Sequence, residues 1–344
     1  ENHISYNCIN ATYDWKYIEN SDVVGWRYLD KILFKDDTIS FLYSARSDLR
    51  PYRLQNIIIK NSNGDIIKKI RFAQSYFESS GANPNDPATY KYRSRLKLDS
   101  LKFADPYSKT YQQTYYFGYN STNLPPYFTD YSTDISYYGQ DYWGYFNGVA
   151  TNSHLIPIMN PCSNSSSVRT SDSIYMQATI LKKIVYPTGG RSEFEYQANT
   201  NRSGVLIGGL RIKSIKNFID NVATIPVYLR TYEYPGGGFQ SNWIGRTNMA
   251  DFSRWCYINL SDGVTFNYTS VPIGRISYSD GTTVRYPEVV EFTGPQRETK
   301  SVYNFDIFQE SEYSVPSDLE LIYGCTPPYP IIIPEGWEGP QVPH

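Results

Sequence analysis

Histidine, methionine and cysteine are scarce in this chain: three His, three Met and four Cys among 344 residues. The histidines are His3, His154 and His344, two of them near the ends of the sequence. So few imidazoles argue against a His-dependent nucleophile or a His-rich metal site. The sequence contains no HExxH, no GxSxG elbow, no phosphate loop and no GxGxxG opening a helix, the patterns that would place hydrolytic, nucleotide or dinucleotide chemistry. Cys8, Cys162, Cys256 and Cys325 are far apart. That spacing excludes a local CxxC knuckle or redox pair and leaves long-range disulfides and free thiols both open. Charge excess is missing too. With 32 basic and 34 acidic residues and a net charge of -2, no field steers the chain toward nucleic acid or an anionic bilayer. No run of residues approaches the roughly 18 to 20 apolar positions of a membrane span, and "ENHISYNCIN" lacks a basic segment followed by an apolar one. The reading expects no membrane span, no nucleic-acid partner, no cofactor, and any export signal already removed.

Aromatic residues and turn formers are plentiful. Thirty-four Tyr, 16 Phe and 6 Trp stand beside 23 Gly and 21 Pro, a mixture that favours strands and turns over helices. Hydrophobic residues at 40% are enough to bury a core. Sequons occur at Asn10, Asn120, Asn164, Asn201, Asn259 and Asn267, and they matter only in a host that glycosylates asparagine.

"ILKKIVYPTGGRSEFEYQANT", residues 180–200, shows the local grammar. Pro187 presets one backbone angle of a turn and Gly189 and Gly190 permit positive φ, so Leu181 to Tyr186 should fold back on Ser192 to Tyr196. In the second strand Ser192, Phe194 and Tyr196 alternate with Arg191, Glu193 and Glu195, the period of a half-buried strand. The same order, Leu-x-x-Ile, polar turn, aromatic-x-Tyr, recurs with Leu29, Ile32, Asp36-Asp37, Phe41 and Tyr43. The spacing from Ile32 to Phe41 is within one residue of that from Ile184 to Phe194. A looser copy runs from Leu98 and Leu101 to Phe117 and Tyr119. Further hairpins are expected around Asn63-Gly64 and Asp280-Gly281, and "GGLRIKSIKNF", which opens on Gly208 and Gly209, should pair with "IPVYLRTYEY". Two readings fit: a repeated unit, or ordinary antiparallel hairpins in a Tyr-rich sheet.

Four regions follow: a β-hairpin region over 1–125, an aromatic-rich connection with a Ser/Asn-rich loop over 126–172, a second hairpin region over 173–312, and a Pro-rich extended tail over 313–344. In "SDSIYMQATILKKIVY" the alternation of Ile174, Met176, Ala178 and Ile180 favours a strand, with a short helix as the alternative. The fold expected is all-β: antiparallel hairpins forming an extended, twisted sheet or partial β-shell with little helix.

The Leu-x-x-Ile, Pro-x-Gly, Phe-x-Tyr grammar resembles the RHS or YD-repeat family, whose tandem hairpins form long β-strips. More specifically, "DYWGYFNG" at 141–148, "LIP" at 155–157, "MQATILKKIVYPTGGRSEFEY" at 176–196 and "GGLRIKSI" at 208–215 look, in that order, like a segment of large RHS-like surface proteins of Bacteroidetes-type bacteria. The resemblance covers roughly residues 25 to 305. It implies a secreted or outer-surface β-module without catalytic residues, and a segment of something longer. The literal Tyr-Asp-x-x-Gly-Arg repeat and the Asp-Pro-x-Gly element, where family shells cleave themselves, are both absent from this chain.

As chemistry, Glu193 and Glu195 share a strand face but read as the solvated side of a hairpin, not as a catalytic pair. "NSNGD" at 61–65 lacks full calcium-loop spacing and reads as a β-turn. The one candidate surface is the ring cluster Tyr137, Tyr138, Tyr142, Trp143, Tyr145 and Phe146, which either packs over a sheet end or binds a glycan or protein. The leading expectation is a non-enzymatic structural module, with neighbouring repeats or surface proteins as partners, outside the cell or on its envelope. Unpaired edge strands at one or both ends of the sheet would accompany such a role.

Overall fold

The computed structural model describes residues 27–104, 111–127, 137–152, 155, 168–239 and 282–307, together with the backbone of Phe128–Asp130, Ile135–Ser136, Gln240 and the strands Asn2–Asn7, Thr12–Tyr17, Arg254–Asn259 and Gly263–Thr269. The Pro-rich tail, the Asp280-Gly281 turn, the three histidine side chains and all four cysteine side chains lie outside the described residues.

The fold is all-β, and its main element is one open antiparallel sheet of twelve strands. In chain order these are β1 (Lys31–Phe34), β2 (Asp37–Ala45), β3 (Tyr52–Lys60), β4 (Ile66–Glu78), β5 (Ser94–Ala104), β6 (Gln113–Tyr119), β7 (Leu181–Val185), β8 (Arg191–Thr200), β9 (Leu206–Phe218), β10 (Tyr228–Glu233), β11 (Glu288–Thr293) and β12 (Thr299–Asn304). Each strand pairs with the next along the chain, so the sheet is a continuous meander. The two hairpin regions therefore share one sheet, joined where β6 pairs with β7. Asn2–Asn7, Thr12–Tyr17, Arg254–Asn259 and Gly263–Thr269 form a separate four-stranded sheet. Among the described residues the helical structure amounts to Pro87–Tyr90 and a 3-10 turn at Tyr175–Gln177, and no helix is long and apolar enough to cross a membrane.

Turn chemistry fixes the meander. At Asn61–Asp65 the Asn61 amide donates to the Asp65 carbonyl, the Gly64 amide donates to the Asn61 carbonyl, and Asn61 Oδ1 accepts from the amides of Asn63 and Asp65. Residues 201–205 repeat this bond for bond, with Asn201 Oδ1 accepting from Ser203 and Val205. The predicted turn at 186–190 has the same backbone frame, with Tyr186 bonded to Gly190 and Gly189 to Tyr186. In all three a glycine at the fourth position has φ near the left-handed region: Gly64 at 83°, Gly204 at 77° and Gly189 at 92°. A side chain there is strained by its own backbone. The Asn63-Gly64 hairpin, the Leu181–Tyr186 hairpin and the pairing of β9 with β10 are thus as the sequence predicts.

One expectation needs correction. The window from Ser171 does not run as one strand. Asp172 Oδ1 accepts from the amides of Ile174 and Tyr175, which turns the chain into the 3-10 element, and only Leu181–Val185 is extended. The hairpin expected around Asp280-Gly281 lies outside the described residues; further along the same segment Val284–Arg285 pairs with Phe239–Gln240.

Following directly opposed residues shows how the faces sort. Phe41, Ile57 and Ile70 lie side by side across β2 to β4, and Phe72, Leu101 and Tyr115 continue the row into β6. Phe117, Ile184 and Ser192 carry it to β8, where Phe194 faces Ile215. The aromatic endings Phe41, Phe117 and Phe194 therefore share one face of the sheet. These residues are half-buried, and the fully buried apolar side chains among the described residues are few: Tyr90, Ala104, Met176, Ala198, Ile207, Phe218 and Val290. Among the described residues this sheet has none of the continuous buried apolar layer of a sandwich.

Both outermost strands are exposed along their whole length. On β1, Leu33 is 73% and Phe34 66% exposed. The two long connections, after β6 and after β10, leave from the same end of the strands, as the antiparallel order requires.

The space into which a Cβ on Gly64 would project is empty, so Gly64→Ala tests backbone strain alone. It should cost about 1 kcal/mol, seen as a lower urea midpoint with an unchanged slope, and Gly204→Ala should match it.

Candidate functional site

Both long connections return to one place, the start of β9 at Gly208 and Gly209. The first brings the ring cluster. Asp141 is fully buried and organises it: Oδ1 accepts from the amides of Trp143 and Tyr145, each at 2.9 Å, and Oδ2 accepts from the Ser171 hydroxyl at 2.6 Å. The Asp141 amide donates to the Tyr145 carbonyl, closing a tight loop with Gly144 at φ 88°. An aspartate one turn ahead of a glycine suits this loop because its short side chain reaches the amides that the turn leaves unpaired.

Buried amides and a guanidinium anchor the loop. Arg169 donates to the Asp141 carbonyl at 2.7 Å and to the Leu155 carbonyl at 3.0 Å, and its guanidinium sits 4.9 Å from the Tyr142 ring centre. Asn147 donates to the carbonyls of Val168 and Thr170. Asn152 donates to those of Tyr138 and Val168 and accepts from the Val168 amide. Buried polar groups are tolerable because each finds such partners.

Burial sets the ionisation. Desolvation raises the Asp141 carboxyl above its ordinary value, against the pull of Ser171, the two amides and Arg169. Desolvation lowers Arg169 and raises Tyr137, Tyr142 and Tyr145.

The rings then meet the sheet. A Cβ placed on Gly208 would lie 2.5 Å from the Trp143 ring, and one on Gly209 would lie 3.1 Å from the Tyr145 hydroxyl. The Gly-Gly pair is required because the indole occupies the space of a side chain, and Gly209 has φ 91° besides. Gly148 is held against the Tyr175 ring in the same manner. Tyr137 and Phe146 meet edge to face at 6.0 Å, and Phe146 meets Tyr175 at 5.2 Å.

The second connection closes the junction from the other side. The Thr283 hydroxyl and the Asn199 amide both donate to the Gly208 carbonyl, at 2.9 and 3.2 Å, and the Tyr286 hydroxyl donates to Asn199 Oδ1 at 2.9 Å. Arg211 lies 4.4 Å from the Tyr234 ring centre and 5.0 Å from that of Tyr286. Burial pushes the Tyr234 hydroxyl up to about 12, against the pull of Arg211.

Of the six predicted ring residues, Tyr137, Tyr138, Tyr142, Trp143 and Phe146 are half-buried, and Tyr145 is 38% exposed. The structure gathers them around one loop, with Trp143 and Tyr145 seated on β9. The repeat-motif residues fall on consecutive strands and turns. Ile32 is in β1, Phe41 and Tyr43 in β2, Leu181 and Ile184 in β7, Pro187, Gly189 and Gly190 in the turn, and Phe194 and Tyr196 in β8. Leu29 precedes β1, and its carbonyl accepts from the Tyr43 hydroxyl. Glu193 pairs with Arg191 at 2.8 Å, and Glu195 pairs with Lys216 and Ser214. Lys216 draws the Glu195 carboxyl below its ordinary value. Both acids are thus held in ion pairs on the polar face. Asn61 spends its side chain on its own turn, and no group of three His, Cys, Asp or Glu suited to a metal ion occurs among the described residues.

Asp141, Asn147, Arg169, Ser171, Asn199, Thr283 and Tyr286 do not stand out individually in the sequence. The Asp-x-x-Gly spacing at 141–144 carries a turn signal; the other partnerships span 14 residues or more, apart from the bond of Asn199 across its own hairpin, and have no local signature. Compared with known proteins, the chain matches no protein-family model and no curated protein.

Asp141→Ala would strand two amides and a hydroxyl and should lower stability by about 3 kcal/mol. Asp141→Asn preserves the bonding, with Oδ1 accepting from both amides and Nδ2 donating to Ser171, so it should fold. A raised carboxyl binds its proton more tightly in the folded chain. Its contribution is therefore greatest below its unfolded value and declines as pH rises through the folded one. Thermal melts between pH values of about 3 and 7 should show that component in the parent chain and not in Asp141→Asn. Gly208→Ala should dislodge Trp143, detected as an indole emission shift, and destabilise the chain more than Gly64→Ala does.

Proposed function

We propose that this chain is a non-enzymatic structural β-module of a bacterial secreted or cell-surface RHS-like protein. It joins neighbouring hairpin repeats of a longer polypeptide, or partner surface proteins, into an extended β assembly. The observation that carries this reading is the open twelve-strand layer, with both outer strands exposed and an aromatic face that stays half-buried. Unpaired strand edges are templates for further strands, and an incompletely covered aromatic face gains free energy from a covering layer at roughly 25 cal/mol per Å² of apolar area.

The segments that carry the resemblance also support the reading by the way they touch. Asp141–Gly148 lies on Gly208 and Gly209 through Trp143 and Tyr145, and the Leu155 carbonyl accepts from Arg169, which holds Asp141. Motifs separated along the chain thus act as one packing unit, as expected if their shared role is to hold a sheet together.

The deciding experiment is an antibody blot against this region after fractionation of the source cells. A surface-fraction band much larger than 39.6 kDa is the expected result. A soluble band at 39.6 kDa overturns the proposal.

A further inference from the structure

We infer that the two outer strands of the sheet are complementary to each other, so that β12 of one copy of this chain receives β1 of a second copy and the sheet continues head to tail. The inference rests on the scaffold reading above and adds the partner: a second copy of this chain.

Strand parity is the first argument. Neighbours alternate in direction across twelve strands, so β1 and β12 run opposite ways. A second copy added in the same orientation therefore sets its β1 antiparallel to β12, which an odd number of strands would forbid.

The free backbone groups give the second. The Phe41 amide donates to the Asp30 carbonyl, which puts Asp30, Ile32 and Phe34 in the hydrogen-bonded positions against β2. Lys31 and Leu33 consequently aim their amides and carbonyls away from the sheet. On the other edge the Phe305 amide donates to the Pro287 carbonyl, which leaves Lys300, Val302 and Asn304 aimed outward from β12.

Side chains choose a register. Setting Leu33 opposite Val302 joins two outward positions, places Ile32 beside Tyr303, and sets Lys31 beside Asn304. The opposed-residue rows put Ile32 and Tyr303 on the same face of the continuing sheet as Phe41 and Phe194. Leu33, Val302 and Tyr303 are all exposed in the single chain. One register thus satisfies strand direction, outward bonding, face and apolar matching, with Lys300 falling opposite Lys35 in the turn just past the end of β1.

The test is light scattering after size exclusion over a concentration series, using the chain itself and two variants, Leu33→Pro and Val302→Pro. Proline at an outward position removes only an amide that the sheet does not use, and far-UV circular dichroism checks that each variant folds; Leu33→Lys and Val302→Lys form a second pair. The parent chain should grow beyond dimers with concentration. Each variant alone should be monomeric, and their equimolar mixture should stop at dimers, because each supplies the edge that the other lacks. A parent chain that stays monomeric overturns the inference, while the scaffold reading is still judged by its mass in source cells. Dimers of Val302→Pro alone would mean that β1 pairs with itself, and would also overturn it.

Discussion

Lateral backbone bonding is the constraint on which this structure depends. The amides and carbonyls of a strand point sideways in the plane of its sheet, so those of an inner strand must be met by the strands on either side. Twelve strands meet that demand by pairing each with its neighbour in sequence. The demand also explains the bulges. Extra residues in β3, β5 and β9 absorb mismatches of strand length without opening the ladder, and each adds local twist.

Where the chain leaves the meander, side chains take over the work of backbone pairing. The loop at 141–148 has few ladder bonds, and Asp141, Asn147, Asn152 and Arg169 supply their equivalent from buried positions. This amounts to a small polar core attached to a sheet that has little apolar core. Burying a carboxylate and a guanidinium is costly in isolation. Here the cost is offset by hydrogen bonds that reach carbonyls and amides of several chain segments, so the ions define geometry where hydrophobic packing is thin.

Much of the fold is legible in the sequence because its determinants are local. Pro187, Gly189, Gly64 and the Asn61 side chain act on the turns they belong to, and the alternation of Phe194 and Tyr196 with Glu193 and Glu195 states which face is polar. The strand expected at 174–180 does not form because a single carboxylate, Asp172, captures two amides and turns the chain before its alternation can matter. The ring cluster is legible as a cluster, and its seat on the sheet is not. That Trp143 needs Gly208, and that Thr283 and Asn199 bond the same carbonyl, depends on pairs of segments that only folding brings together.

The meander has a kinetic consequence. Nine of the eleven pairings in this sheet join strands linked by short connections, which keeps most of the loops to be closed short. Hairpins of this kind form in microseconds, and each finished hairpin offers an edge to the next, so assembly can follow the chain from one end as it emerges. The exceptions are the β6–β7 and β10–β11 pairings, which close the two long connections, and the Gly208 junction, where the Thr283 hydroxyl reaches back 75 residues and the Tyr286 hydroxyl 87. That junction and the β10–β11 pairing both wait for the second long connection, so local hairpins alone cannot complete the sheet.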